Sequence, residues 1–173
     1  EIRIEREDGS FCEPGEPGEL VVRGATVSPG YWRRPDATAA AIRDGWLHSG
    51  DAGYLDDDGY LYVIDRRDDL IVTGGENVYP AEVESVLSTH PAVREAGVFA
   101  LIDPTWGQSV AAAVVLREGV ELLTAEAVRV FCRERLAAYK APRDVFFTNE
   151  LPRTASGKLL RRELRTIFSK EPK

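Results

Sequence analysis

Methionine is absent from this 173-residue sequence, and cysteine and histidine are scarce: Cys12 and Cys132, His48 and His90. Two cysteines so far apart make no disulfide framework, and both read as buried or incidental thiols. Two histidines leave no metal-ligand spacing, so no metal site is expected. No apolar run approaches the roughly 20 residues of a membrane-spanning helix. The opening Glu1-Ile2-Arg3-Ile4-Glu5 lacks the positive segment and apolar stretch of a secretory leader. It reads as a strand in progress, in a chain expected to begin inside a larger protein. Excess positive charge is missing too. The net charge is -7, which gives no reason to expect nucleic-acid binding. What is present, 43% apolar and 29% charged residues, suits a globular chain and not a disordered one.

The first third reads as strand and turn. Residues 13–18, Glu-Pro-Gly-Glu-Pro-Gly, are turn chemistry before a short strand over 19–24. Residues 36–42 are Ala-rich and predict one or two helical turns started by Pro35-Asp36. Asp56-Asp57-Asp58-Gly59 predicts a hairpin turn joining strands over 52–55 and 60–64. Its three Asp residues lack the spaced ligands and distal Glu of a calcium loop. From the charged run Asp65 to Asp69 onward, helix and strand mix, so this run is the candidate domain boundary. Helices are predicted over 80–89, 124–138 and 158–168, with strands over 93–102, 110–116 and 144–148. The apolar run Val110 to Leu116 predicts a buried strand. Thr124, followed by Ala127, makes half a capping box.

Four segments carry candidate chemistry. In Trp46-Leu47-His48-Ser49-Gly50-Asp51, an Asp after a small-residue turn can bind a vicinal diol, or can satisfy its own backbone. In Ile64-Asp65-Arg66-Arg67-Asp68-Asp69, a guanidinium can reach ribose or phosphate, or the run can be a solvated face. In Thr73-Gly74-Gly75-Glu76-Asn77, paired glycines permit close ligand approach, or only a tight turn. Leu151-Pro152-Arg153-Thr154-Ala155-Ser156-Gly157-Lys158 places Gly-Lys before a helix, yet it lacks the first Gly of a Walker loop. Leu159 also stands where that loop carries a Ser or Thr for magnesium. A lysine there still reaches a phosphate as a point charge.

Together these segments resemble the late motifs of the adenylate-forming superfamily: acyl-CoA synthetases, aryl-CoA ligases, luciferases and peptide-synthetase adenylation domains. Gly18-Glu19-Leu20-Val21-Val22-Arg23-Gly24, running on to Gly30-Tyr31-Trp32, is similar to the family's barrel motif. Ser49-Gly50-Asp51 resembles its T/S-G-D motif, Asp65-Arg66 through Glu84 its hinge motif, and residues 152–158 its catalytic-lysine motif. The resemblance covers essentially the whole chain. It implies an α+β fold: a mobile C-terminal domain over 67–173, preceded over 1–66 by strands of the large domain's distorted β-barrel.

The resemblance also implies roles. Asp51 and Arg66 would hold the ribose of ATP or AMP, and Lys158 would bridge the acid's carboxylate and the α-phosphate. Asp68 would be the hinge about which the small domain rotates between half-reactions. Gly74 and Gly75 would face the pantetheine tunnel of coenzyme A. Val72 and Asn77 depart from some relatives, which carry Lys at the first position and Gln or Arg at the second. Asn77 is a further candidate nucleotide contact, without the charge. Residues 74–80 look most like fatty-acyl-CoA ligases, so a fatty acid and coenzyme A are the expected substrates. The family's phosphate loop, its aromatic-Gly-x-Thr-Glu motif and the acid pocket do not occur in this sequence. Mg2+ is therefore expected upstream, and the isolated chain is expected to be inactive. A carrier-protein thiol as acceptor, or a non-catalytic lid, are the alternatives. Barrel strands without partners predict self-association, and a cytoplasmic location is expected.

Overall fold

In a computed structural model, the described residues are 1–66, 69–120 and 122–169. The chain divides into two compact units, Glu1–Asp68 and Asp69–Lys173. Asp68, the expected hinge, lies outside the described residues.

The first unit is an antiparallel sheet around one long strand. Its elements are β1 (Ile2–Glu5), β2 (Gly18–Val22), α1 (Pro35–Ala41), β3 (Ile42–Arg43), β4 (Trp46–Leu55) and β5 (Leu61–Arg66). The order is β1-β2-β4-β3, with β5 also paired to β4. Ile4, Leu20, Val21, Trp46 and Ala52 are its buried apolar side chains. The Asp56–Gly59 hairpin turn is present: Asp56 accepts N–H bonds from Asp58 at 3.1 Å and Tyr60 at 2.8 Å. That carboxylate is engaged by its own turn.

The second unit runs β6 (Ile71–Thr73), β7 (Glu76–Val78), α2 (Pro80–Ser88), β8 (Val93–Asp103), β9 (Gly107–Leu116), α3 (Ala125–Arg133), β10 (Asp144–Phe147) and α4 (Arg161–Phe168). Its sheet order is β10-β9-β6-β7, with β8 also on β9. The expected burial of 110–116 is met, because both faces of β9 are covered. Val110, Ala112 and Val114 join a core with Val83 and Leu87 of α2 and Val128 and Cys132 of α3. Ala111, Ala113 and Val115 join a second core with Phe99, Leu151 and Leu164. The period of two sends alternate residues to opposite faces, and Gly97 of β8 lets Leu164 of α4 approach closely. Burial of Cys132 pushes its thiol up to about 11, and both cysteines are free.

Thr124 caps α3 by accepting the Ala127 N–H at 3.1 Å, as its sequence position suggested. Three expectations change. Helix α3 ends at Arg133 instead of residue 138, and a short 3-10 turn, Ala138–Lys140, follows. Helix α4 starts at Arg161 instead of Lys158. Residues 71–73 and 76–78, for which no strand was expected, form two strands on either side of the glycine turn. No helix among the described residues is long and apolar enough to cross a membrane.

Candidate functional site

The segment Trp46 to Asp51 is not a turn; it lies inside β4. Strands β2 and β4 pair Glu19 with Ala52 and Val21 with His48. Between these pairs β2 supplies Leu20 alone, whereas β4 supplies Ser49, Gly50 and Asp51. The extra residues bulge out, and a bulge re-aims the side chain that follows it. Each residue of the motif has a physical task. Ser49 Oγ donates to the Leu20 carbonyl at 2.8 Å and accepts the Asp51 N–H at 3.1 Å, which ties the bulge shut. Gly50 takes a φ of +73°, a left-handed conformation that costs other residues more. Asp51 then stands directly across from Arg66 of β5. Arg66 Nε lies 3.0 Å from Asp51 Oδ1. A second register shift, on β5, adjoins this pair: Ala52 faces Asp65 and Gly53 faces Val63. The result is an acceptor and a donor fork side by side. Arg66 is 57% exposed and Asp51 30%, so both can exchange their mutual contact for a ligand.

His48, beside the motif, is buried and lies 3.2 Å from the buried Glu19 carboxylate. That is a structural assignment. His90 likewise accepts the Ala92 N–H at 3.1 Å.

In the second unit, Lys158 is not at a helix start. It sits on a tight loop closed by an antiparallel bridge between Arg153 and Leu159. Thr154 N–H donates to the Lys158 carbonyl at 2.8 Å, Thr154 Oγ1 accepts the Lys158 N–H at 3.0 Å, and Arg153 donates to the Gly157 carbonyl at 2.8 Å. Arg153 also reaches Glu95 of β8 and holds that carboxyl below its usual range. The loop's backbone is therefore stapled to the start of β8. The Lys158 side chain is exposed, with no ion pair among the described residues. The sequence reading failed here because Leu159 and Leu160 look helical. Leu159 packs instead against Gly97, where an added Cβ would lie 3.2 Å from its side chain.

Gly74 and Gly75 form the two-residue loop of the β6–β7 hairpin, between the paired Thr73 and Glu76. Their φ values, +61° and +86°, give both central residues the positive φ that such hairpin loops favour. The two glycines differ in surroundings. A Cβ on Gly74 would lie 2.6 Å from Trp106, and one on Gly75 would meet nothing within 4 Å. Trp106, 45% exposed, was not singled out by sequence reasoning; the signal was a lone aromatic in the polar turn after β8. Its ring carries the Arg143 guanidinium 5.3 Å from the centroid. The backbone N–H groups of Trp106 and Thr105 hold the Asp103 carboxyl below the usual range. Asn77 is exposed on β7, opposite Val72.

These residues occupy opposite ends of β8. The lysine loop is fastened at Glu95, and the glycine turn and Trp106 lie beyond Asp103. Eight residues of strand separate the ends by roughly 27 Å, at about 3.4 Å per residue.

The geometry has a counterpart in known proteins. Residues 82–158 match the model of the AMP-binding enzyme C-terminal domain. The chain is 58% identical over 163 residues to the 2-succinylbenzoate–CoA ligase of Geobacillus kaustophilus, covering 94% of this chain and 33% of that protein. The chain belongs to the AMP-binding, adenylate-forming enzymes. Among solved structures of the family, the o-succinylbenzoate CoA synthetase of Bacillus subtilis, bound to its acyl-adenylate intermediate, superposes with a TM-score of 0.88 at 52% identity. That match covers 95% of this chain and 33% of the other. The amide bond synthetase from Marinactinospora thermotolerans superposes with a TM-score of 0.90 at 39% identity, covering 98% and 34%. The chain thus spans about a third of the length of these relatives. Its fold is that of their C-terminal part.

One expectation is corrected by these relatives. The ligases most similar among those compared act on a succinylbenzoate and not on a fatty acid. The physical reason lies in residues 74–80, from which the fatty-acyl reading came. They build a hairpin loop, a short strand and the start of α2, so their sequence answers to backbone geometry and not to the identity of the acid.

Proposed function

We propose that this chain is the carboxyl-terminal third of an ATP-dependent ligase that joins a 2-succinylbenzoate-type acid to coenzyme A. In the first half-reaction a carboxylate oxygen bonds to the α-phosphorus of ATP while the bond to pyrophosphate breaks. In the second, the thiol sulfur of coenzyme A bonds to the acyl carbon, the acyl–phosphate bond breaks and AMP leaves. The observation that carries this reading is the pairing of Asp51 with Arg66 on facing bulged strands, together with the exposed Lys158 on its stapled loop. Asp51 would accept from both ribose hydroxyls and Arg66 would donate to the ribose. Lys158 would stabilise the charge that builds as the acid attacks. Asn77 is kept as a further nucleotide contact.

The opposite ends of β8 support a rotation of the second unit about Asp68 between half-reactions. Lys158 would face the nucleotide in the first. Gly74 and Gly75 would line the path of the thiol arm in the second, with the exposed face of Trp106 and the charge of Arg143 beside them. An added side chain at Gly75 would enter open space and narrow that path. Mg2+ accompanies ATP in a Bacillus subtilis complex. Among the described residues no group of three or more His, Cys, Asp or Glu could hold a metal ion.

The test is ATP–pyrophosphate exchange by the full-length protein. Exchange is expected with 2-succinylbenzoate and not with a long-chain fatty acid. Lys158→Ala is expected to lower it on the order of a hundredfold or more, while thioester formation from supplied acyl-adenylate changes little. Exchange driven by the fatty acid alone would overturn the choice of substrate. Equal loss in both half-reactions would overturn the role of Lys158.

A further inference from the structure

Arg161 is the first residue of α4 and only 14% of its side chain is exposed. A half-buried cation at a helix N-terminus is placed against both desolvation and the helix dipole. Two carboxylates offset that cost. Arg161 Nη1 donates to Asp69 Oδ2 at 2.9 Å, and Nη2 donates to Glu84 Oε2 at 2.8 Å. The other oxygen of Glu84 accepts the Val98 N–H of β8 at 2.8 Å. One guanidinium thereby fastens three places: the residue with which the second unit begins, helix α2, and through Glu84 the middle of β8. The fourth place is its own backbone, three residues after Lys158. The link between them is short and packed, because Leu159 and Leu164 press on Gly97, where an added Cβ would lie 3.2 Å and 2.7 Å from them.

We propose that Arg161 is a positioning residue for Lys158, tying the lysine loop to the start of the second unit so that the unit and its lysine move as one body. The inference rests on the role proposed for Lys158. Removing a cation that served only stability would lower the melting point, because two carboxylates lose their partner, and would act on both half-reactions alike. Removing one that also orients Lys158 adds a selective loss, since a misplacement of about 1 Å can cost on the order of a hundredfold in rate. The loss should fall on the half-reaction that uses Lys158 and spare the other.

The experiment measures both half-reactions in the full-length protein carrying Arg161→Met, Arg161→Lys or Asp69→Asn, with Lys158→Ala as reference and a thermal melt for each. Arg161→Met is expected to lower the kcat of acyl-adenylate formation at least tenfold, with thioester formation from supplied acyl-adenylate within about twofold of the unmodified protein. Arg161→Lys, which keeps the charge but not the fork, is expected to recover part of that loss. Should Arg161→Met not fold, Asp69→Asn carries the same readout, because it removes one partner and leaves the buried fork on Glu84. Parallel loss of both half-reactions, or loss of neither, while Lys158→Ala still acts selectively, would overturn the positioning role alone. A Lys158→Ala variant with no selective effect would overturn this inference and the reading beneath it together.

Discussion

At the residue scale, the placement of the Asp51 carboxylate depends on the hydroxyl of Ser49. Ser49 both donates to Leu20 and receives Asp51, so it sets where the Asp51 carboxylate points. Ser49→Ala is expected to cost about 1 kcal/mol of stability, the ordinary net worth of such a bond. It should also raise the KM for ATP in the full-length protein more than it lowers kcat. Unfolding midpoints and steady-state kinetics check this; an unchanged KM would mean that the bulge holds its shape without the hydroxyl. Asp51, Arg66 and Lys158 were singled out in the sequence because each sits in a short motif of ordered spacing. Arg161 was not. It stands in the basic run Arg161-Arg162, and only folding reveals which of the two arginines is buried against Asp69 and Glu84. The same limit hid Trp106, whose partners come from Gly74 and Arg143, far away in sequence.

At the scale of elements, the hairpin of β6 and β7 separates two constraints that a Gly-Gly pair merges. Both residues need positive φ, and only Gly74 also lacks room for a side chain. Gly75→Ala is expected to cost about 1–2 kcal/mol, the left-handed penalty alone. Gly74→Ala is expected to cost clearly more, because Trp106 must move. Thermal or urea unfolding of the 173-residue chain checks the order, and equal shifts would contradict it. Elements were legible where one physical signal dominated. Strand β9 was readable from its unbroken apolar run, and α2 from Pro80 and the spacing of Val83 and Leu87. Legibility failed where tertiary contacts overrode local pattern. Leu159 and Leu160 suggest helix, yet the Arg153–Leu159 bridge takes Lys158 out of it. Trp46 to Asp51 suggests a turn, yet pairing with β2 makes it a bulged strand whose glycine and serine serve the bulge.

At the scale of the whole molecule, the groups assigned to one reaction are divided between two units. Asp51 and Arg66 belong to Glu1–Asp68, and Lys158, Gly74 and Gly75 to Asp69–Lys173. In the sequence the pattern changes at the charged run 65–69, where strand and turn give way to mixed helix and strand. The identity of the acid was not readable. The segments that suggested a fatty acid are fixed by turn geometry, and selection of an acid requires a pocket that these residues do not form. The central claim is that this chain supplies the nucleotide-side pair and the lysine-bearing domain of a ligase whose remaining machinery lies in the other two thirds of its relatives. A chimera tests it most directly: residues 1–173 exchanged for the matching third of the Bacillus subtilis o-succinylbenzoate CoA synthetase, which is 52% identical. Coenzyme A ester formation from 2-succinylbenzoate is measured for the chimera and for the isolated chain. The account expects a chimera within about tenfold of the parent, abolished adenylation on Lys158→Ala, and no turnover by the chain alone. A folded chimera without activity, or turnover by the isolated chain, would contradict it.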